Sequence, residues 1–416
     1  MMKKILSVLV LFLIGFSLFA VALPASTYMN DPFIPTNPRT QAMGGTGVAL
    51  PASLDTAYVN PASYASKVHI AVPYVTTTLY NINSNMDAFK MLFSGGWEDA
   101  ASEFIKNLPL GFKNFMTVEA GLNLGFGSLG FGVNTRFDIF STPNTQFAMR
   151  ADVGAFLVAA HRFEIADGFS LDAGVSFHVN YRMFTSEHNR DSILVGGIGT
   201  AEVLNALNGS EGGMSSLMGL LTDRPMAAGF AFPIDFGLKL NMPYGFAVGA
   251  SYTNFNGNYY YNNYDNIDSA LAGIGIHTNL GSAESTSTDY RKFENVFSPG
   301  SLNIGFAWRA PWSGVWAWIN PTITVDFVDL VGLFTADNLW TAENWVNHIN
   351  IGAELYLIGF LNGRIGLNRG YFTCGVGIDL YAARIDAVYG IKAYGEVARG
   401  DSLDYLTVRV SIGYDR

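Results

Sequence analysis

The stretch Phe169–Met183, FSLDAGVSFHVNYRM, decides the fold. Phe169, Leu171, Ala173, Val175, Phe177, Val179, Tyr181 and Met183 make one parity, and Ser170, Asp172, Gly174, Ser176, His178, Asn180 and Arg182 make the other. Successive side chains of a strand point to opposite faces, so this strand has one apolar face and one polar or small face. It holds the pattern for about 15 residues, roughly twice the length of a strand in a soluble sheet. The composition of the whole chain fits such a strand. Of 416 residues 49% are hydrophobic and only 14% are charged, against about 25% charged in ordinary soluble domains. Yet after residue 23 no apolar run reaches the length of about 18 residues that a membrane helix needs. An apolar chain without apolar runs spreads its hydrophobicity by alternation, which is the signature of a transmembrane β-barrel. The net charge of −10 excludes the basic footprint of a nucleic-acid binder. A single cysteine excludes a disulfide scaffold and a cysteine-rich zinc site.

Working outward, the same alternation marks fourteen segments: 68–80, 117–126, 129–140, 151–163, 168–183, 227–241, 245–259, 301–310, 316–330, 348–358, 362–371, 373–382, 384–394 and 404–414. Pro73, Pro233 and Pro321 fall inside three of them, where proline removes a ladder donor. The connections sort by length. Gaps 81–116, 141–150, 184–226, 260–300, 331–347 and 395–403 follow odd-numbered strands, while even-numbered strands are followed by a few residues only. Barrels of this kind have short periplasmic turns and longer external loops, so 81–116, 184–226 and 260–300 are expected as the long external loops. Trp308, Trp312, Trp316 and Trp318 surround the turn 311–315, and Phe230, Phe232, Tyr244 and Phe246 are expected around another, as interfacial girdles.

Ahead of the strands, Lys3 and Lys4 precede the apolar run Ile5–Leu23, which ends in Ala20-Val21-Ala22. This is the layout of a secretory signal peptide, expected to cover residues 1–22 with cleavage after Ala22, or alternatively after Ala25. The expected destination is the outer membrane of a double-membraned bacterium, with the barrel-assembly machinery and the lipid bilayer as partners. Tyr414 stands two residues before the C-terminal Arg416, whereas such barrels usually end on an aromatic residue.

Between the signal and the first strand lies RTQAMGGTGVA at residues 39–49, followed by DTAYVNPA at 55–62. This segment resembles the N-terminal segment of the FadL/TodX outer-membrane family, with related PorV-type barrels sharing the opening. The resemblance implies a fourteen-stranded barrel, residues 67–416, whose N-terminal segment, about 23–66, folds into the lumen as a hatch. Met43, Gly44, Gly45, Asn60, Pro61 and Ala62 are the matching hatch positions. It further implies passive uptake of hydrophobic small molecules such as long-chain fatty acids. A PorV-like role in protein secretion or surface attachment is the alternative, and a general diffusion porin is a second. The residues themselves allow a static plug as well as a hatch. Glycines permit positive φ and close backbone approach, and Asn60 before Pro61 is a turn signal.

Strand parity sends charges of both signs into the lumen. Arg136, Arg182, Arg309, Arg364, Arg384 and Arg409 are therefore either members of an ion-pair network, since buried charges pair, or ligands for a carboxylate headgroup. The loops carry two amphipathic stretches. Phe89, Leu92 and Trp97 in the first, and Leu207, Met214 and Leu217 in the second, either pack on the barrel rim or line an apolar groove. The six histidines show no metal-ligand spacing, and no P-loop or G-x-S-x-G element is present. No catalytic residue, metal or cofactor is expected.

Overall fold

A computed structural model describes residues 27–50, 56–94, 103, 107, 112–142, 146–187, 195–208, 219–220, 222–278, 294–313, 319–335, 340–357, 359–380, 382–394 and 402–415. The proposed signal peptide lies outside them.

The strands are β1 (Lys67–Tyr80), β2 (Lys113–Gly127), β3 (Leu129–Ser141), β4 (Gln146–Ala166) and β5 (Phe169–Thr185). Three interrupted strands follow: β6 (Met226–Ala231 and Ile234–Asn241), β7 (Phe246–Phe255 and Tyr259–Tyr264) and β8 (Glu294–Val296 and Ser301–Arg309). The wall is completed by β9 (Ile319–Phe327), β10 (Ile349–Leu357), β11 (Leu361–Asn368), β12 (Tyr371–Leu380), β13 (Ala383–Ala393) and β14 (Ser402–Asp415). Each strand pairs antiparallel with its neighbours in sequence, and β14 closes on β1 through pairs running from Ile70↔Tyr414 to Leu79↔Leu406. The result is a closed fourteen-stranded antiparallel barrel. Closure leaves no open edge, the condition for a sheet to cross a bilayer.

Strand existence and order agree with the alternation in the sequence, while some ends move. β2 opens at Lys113 and β4 at Gln146, and β7 runs on to Tyr264, so the loops read as 81–116, 141–150 and 260–300 are shorter than expected. These extensions are near the loop end, where both parities are polar or aromatic, as in Tyr259-Tyr260-Tyr261-Asn262-Asn263-Tyr264. Alternation fades there because the two faces no longer meet different solvents.

The prolines fall where the ladder gives way. Pairing of β1 slips between Ala71 and Tyr74, leaving Val72 41% exposed beside Pro73. Pro233 separates the two halves of β6, and adjacent β7 and β8 break at about the same level. In β7 the kink rests on Asn254 and Asn256, both at positive φ (62° and 57°), a conformation asparagine tolerates better than most residues.

The two faces differ sharply. Phe126, Leu129, Leu157, Phe177 and Ile365 point outward and are each more than half exposed. Glu119, Asp172, Arg182 and Asn134 point inward and are fully buried. A belt of exposed apolar side chains around a closed wall makes the surrounding solvent lipid. At the short-turn end Tyr244 and Trp312 are exposed, and Phe246 packs at 6.4 Å from Trp308. Phe230 and Phe232 are not part of that girdle: they stack on each other beside the break in β6, several residues from the turn. Trp316 and Trp318 lie outside the described residues.

The long loops gather at one end, here the outer end. They carry short helices, among them α1 (Met86–Phe93), α2 (Thr200–Asn208) and α3 (Ile267–Ala272). Helix α3 has no counterpart in the sequence reading. It packs against Tyr181, Met183, Met226 and Ala228, and Tyr181 donates a hydrogen bond to its Ala270 carbonyl.

Candidate functional site

The inward faces are buried because residues 27–50 and 56–66 occupy the barrel interior. Their backbone is mostly irregular, which is tolerated at membrane depth only inside protein. One turn of helix, Pro38–Ala42, is capped by Asn37, whose side chain accepts from the Arg39 amide, with proline at the first turn. Gly44 and Gly45 follow at positive φ.

The segment reaches the wall at Met43–Val48 first. Met43 is fully buried. A Cβ on Gly44 would stand 2.4 Å from the Leu367 carbonyl oxygen and 2.6 Å from that of Ile351. Only glycine lets the backbone come this close. The wall answers with glycines of its own, since Gly352 and Gly366 face Met43 and Gly44. Thr373 Oγ1 accepts from the Gly44 amide (3.1 Å) and donates to the Ala42 carbonyl (3.0 Å). Thr46 and Thr324 hydroxyls meet at 2.6 Å. Asp326 Oδ2 accepts from two consecutive amides, Gly47 (2.6 Å) and Val48 (3.0 Å).

The second contact is Asn60–Ala62. Asn60 Nδ2 donates to Val48 O within the segment (2.7 Å) and to Leu238 O of β6 (3.2 Å). Its Oδ1 accepts from the Ala62 amide (3.0 Å), closing the turn around Pro61. Gly174 and Gly237 of the wall make room for this turn. Met43, Gly44 and Gly45 thus face β10–β12, and Asn60, Pro61 and Ala62 face β5 and β6.

Two ion-pair networks join the segment to the wall. In the first, Arg150 pairs with Asp31 (2.5 Å), Asp138 (2.7 Å) and Asp152 (3.3 Å), and Arg182 pairs with Asp152 (2.5 Å) and Asp31 (3.2 Å). Next to it Glu119 is held by Arg136 (2.6 Å) and by the amide and hydroxyl of Thr36. In the second, Glu354 takes Arg39 (2.5 Å) and Arg364 (2.8 Å), while Asp386 takes Arg364 (2.6 Å) and Arg384 (2.8 Å). Asp31 belongs to one network and Arg39 to the other, so the seven residues between them span the lumen. The charges are buried but matched, which such burial requires.

The six arginines read from parity therefore part company. Arg136, Arg182, Arg364 and Arg384 are committed to carboxylates. Arg409 donates to the Thr36 carbonyl (3.1 Å) and lies 3.7 Å over the Tyr74 ring. Arg309, at the short-turn end of β8, is exposed and has no ion pair among the described residues. Sequence reasoning left out Arg150 and Asp152, the centre of the first network. Asp152 is the second residue of the alternating segment 151–163 and Arg150 stands one residue before it on the same parity, so carrying the inward parity to the start of the segment and one residue beyond finds both.

The loop candidates are not brought together by described atoms. Phe89 and Leu92 fall in α1 and Leu207 in α2, but their side chains lie outside the described residues, as do Trp97, Met214 and Leu217 entirely. At the rim, a cleft of about 220 Å³ is bordered by Gln146, Thr185, Glu187 and Arg224, a polar lining.

The structure assembles one trio with the residue types of a hydrolase. Ser176 Oγ and Asp235 Oδ2 stand 2.9 and 2.8 Å from His178. Both contact the same ring nitrogen, Nε2, and His178 Nδ1 has no partner among the described residues, so these three side chains do not line up as an acid–base relay from carboxylate through imidazole to hydroxyl. Ser176 donates instead to the Ala57 carbonyl of the inner segment (3.2 Å). The trio fastens that segment close to the breaks in β6 and β7, where Asp235 Oδ1 accepts from the Asn254 amide (2.6 Å).

No protein-family model matches the chain, and no curated protein matches it. Among solved structures, the toluene transporter TbuX of Ralstonia pickettii is similar at 14% identity and a TM-score of 0.44, covering 92% of this chain and 98% of that one. The monoaromatic hydrocarbon channel CymD is similar at 11% identity and a TM-score of 0.48, covering 93% and 99%. A FadL homologue of Pseudomonas aeruginosa is similar at 12% identity and a TM-score of 0.41, covering 93% and 99%.

Proposed function

We propose that this chain is an outer-membrane channel for passive uptake of hydrophobic small molecules such as long-chain fatty acids. In this reading residues 1–22 are a cleaved export signal, the barrel-assembly machinery inserts residues 67–416, and residues 23–66 are a hatch whose displacement opens the lumen. The carrying observation is the filled interior. Residues 27–50 and 56–66 lie inside a closed barrel and are fastened at discrete polar points, Asp31, Arg39, Thr46 and Gly47–Val48. A filled lumen supports gated passage over an open diffusion pore. The resemblance at 39–49 and 55–62 supports the same reading. The ligand's own gradient supplies the driving force.

The test uses the adjacent hydroxyls of Thr46 and Thr324, 2.6 Å apart. A T46C/T324C pair is made in a C374S background, which removes the only native cysteine. Oxidised, it ties the inner segment to β9. Uptake of labelled oleate by proteoliposomes is expected to fall to background on oxidation and to return with dithiothreitol. Uptake that is the same in the oxidised and reduced protein would overturn the hatch.

A further inference from the structure

Among the described residues, the carboxylates buried in the interior nearly all face a cation. Glu119, Asp138, Asp152, Asp172, Glu354 and Asp386 each meet an arginine, and Asp235 meets His178. Asp326 on β9 differs. It is 1% exposed, and among the described residues no cation stands within ion-pair distance of it. Its partners are backbone: Oδ2 accepts from the amides of Gly47 (2.6 Å) and Val48 (3.0 Å). Oδ1 is buried without a hydrogen bond and lies over Gly305 of β8, 2.4 Å from where a Cβ would stand. The ladder neighbours of Asp326, Gly305 and Asn350 of β10, are uncharged, as is the stretch Thr46–Leu50 of the inner segment. Arg309 of β8 and Glu354 of β10 sit opposite Thr322, four residues down β9, and Glu354 is held by Arg39 and Arg364. Lys239 lies three strands away in the same row and pairs with Asp172. Beyond the strand end, Asp329 accepts from the Gly332 amide, His348 Nδ1 stands 2.8 Å from the Asn344 carbonyl oxygen, and the Arg369 amide donates to Asn350 Oδ1.

We propose that Asp326 is a proton-released latch on the inner segment: charged, it holds Gly47 and Val48 against β9, and a proton on its free oxygen lets that stretch leave the wall. The proposal rests on the hatch reading above and names what governs the hatch. A buried charge without a partner is costly, and a proton removes it as well as a cation would. A hydrogen bond to an ionised acceptor is about twice as strong as one between neutral groups. Both amide bonds end on the same oxygen, so one proton weakens both. That proton comes from water and forms an O–H bond at Oδ1, the carboxyl passes from −1 to neutral, and no covalent bond breaks. No arginine has to give up an ion pair, whereas in the two networks each carboxylate of the wall is covered by a guanidinium. The neighbouring contacts of this seat are made by the hydroxyls of Thr46, Thr324 and Thr373, which do not change charge with pH. The charged carboxylate is the form that the amides hold, so the latch is closed at neutral pH and opens as the pH falls.

The test is hydrogen–deuterium exchange on the full mature protein in nanodiscs, read at the Gly47 and Val48 amides at about pH 7.5 and about pH 5 and corrected for the intrinsic pH dependence of exchange. Protection in the native protein is expected to fall by about tenfold or more on acidification, the difference between charge-assisted and neutral bonds. D326N, neutral at both pH values, should show the lower protection at both and no step between them. T324V removes a neutral contact of the same seat and should keep the step, which separates the proton from a general loosening. Native amides equally protected at both pH values would overturn the latch with no variant needed. So would a D326N protein that keeps the native step. Either result leaves the hatch reading in place where the oxidised T46C/T324C protein still blocks uptake. Uptake indifferent to that cross-link would overturn the hatch and the latch together.

Discussion

Two faces of one strand are governed by different rules. On β5, Phe177 and Val179 point outward and are 56% and 47% exposed, while Ser176, His178 and Asn180, one residue away, are at most 2% exposed. The outer face needs only to be apolar, because lipid tails make no specific contacts. The inner face must be exact in its partners, because each polar atom there has left water and needs a named replacement. A hydrophobic exchange outside should thus be mild, and a small polar change inside severe.

The largest expected effect is on the inner face. Asp152→Ala strips Arg182 of its 2.5 Å partner and Arg150 of a second one. Breaking this buried pair, with only the more exposed Asp31 left to Arg182 at 3.2 Å, should cost about 3–5 kcal/mol, read as a fall in urea unfolding free energy from liposomes. A loss close to zero would mean that water reaches the lumen and the two faces are less different than the burial implies. Next comes the outer face, where Phe177→Arg should cost about 2–4 kcal/mol in the same assay if it lies near the bilayer midplane. Phe177→Leu is its control and should be nearly silent; equal effects of the two would argue against lipid contact there. The smallest effect joins the two faces. Gly366 is an inward residue against which the Gly44 nitrogen packs, 2.2 Å from where a Cβ would be. Gly366→Val should cost about 1–3 kcal/mol by overpacking, and it should raise single-channel conductance by pushing the inner segment off the wall. An unaltered conductance would show that this contact does not seat the segment.

The fold was legible because its signal is local. Alternation in Phe169–Val179, Leu302–Trp308 or Leu406–Ile412 can be read within one strand, and the short-turn pattern ties neighbours together. The breaks in β6–β8 were only half legible: Pro233 announced one, but Asn256 in the neighbouring strand carries no such mark. Helix α3 was missed because its apolar residues answer to Tyr181 and Met183, more than eighty residues away in sequence. The polar side chains of the interior and the ion-pairing of most of its arginines were legible by parity, yet which carboxylate meets which cation was not. Arg182 and Lys392 look alike in sequence, each a cation on an inward parity, and among the described residues only Arg182 has a carboxylate opposite it.

The sequence by itself determined the strand number, which face each residue takes and where glycine must stand, because a period of two residues is a property of the backbone alone. Tertiary structure decided the partners. Arg39 meets Glu354 across 315 residues, and Lys392 reaches Asn114 across 278. Those meetings depend on the register at which β14 closes on β1 and on the path of the inner segment through the lumen. Both are set by how the whole wall packs around that segment, so no single stretch of sequence contains them.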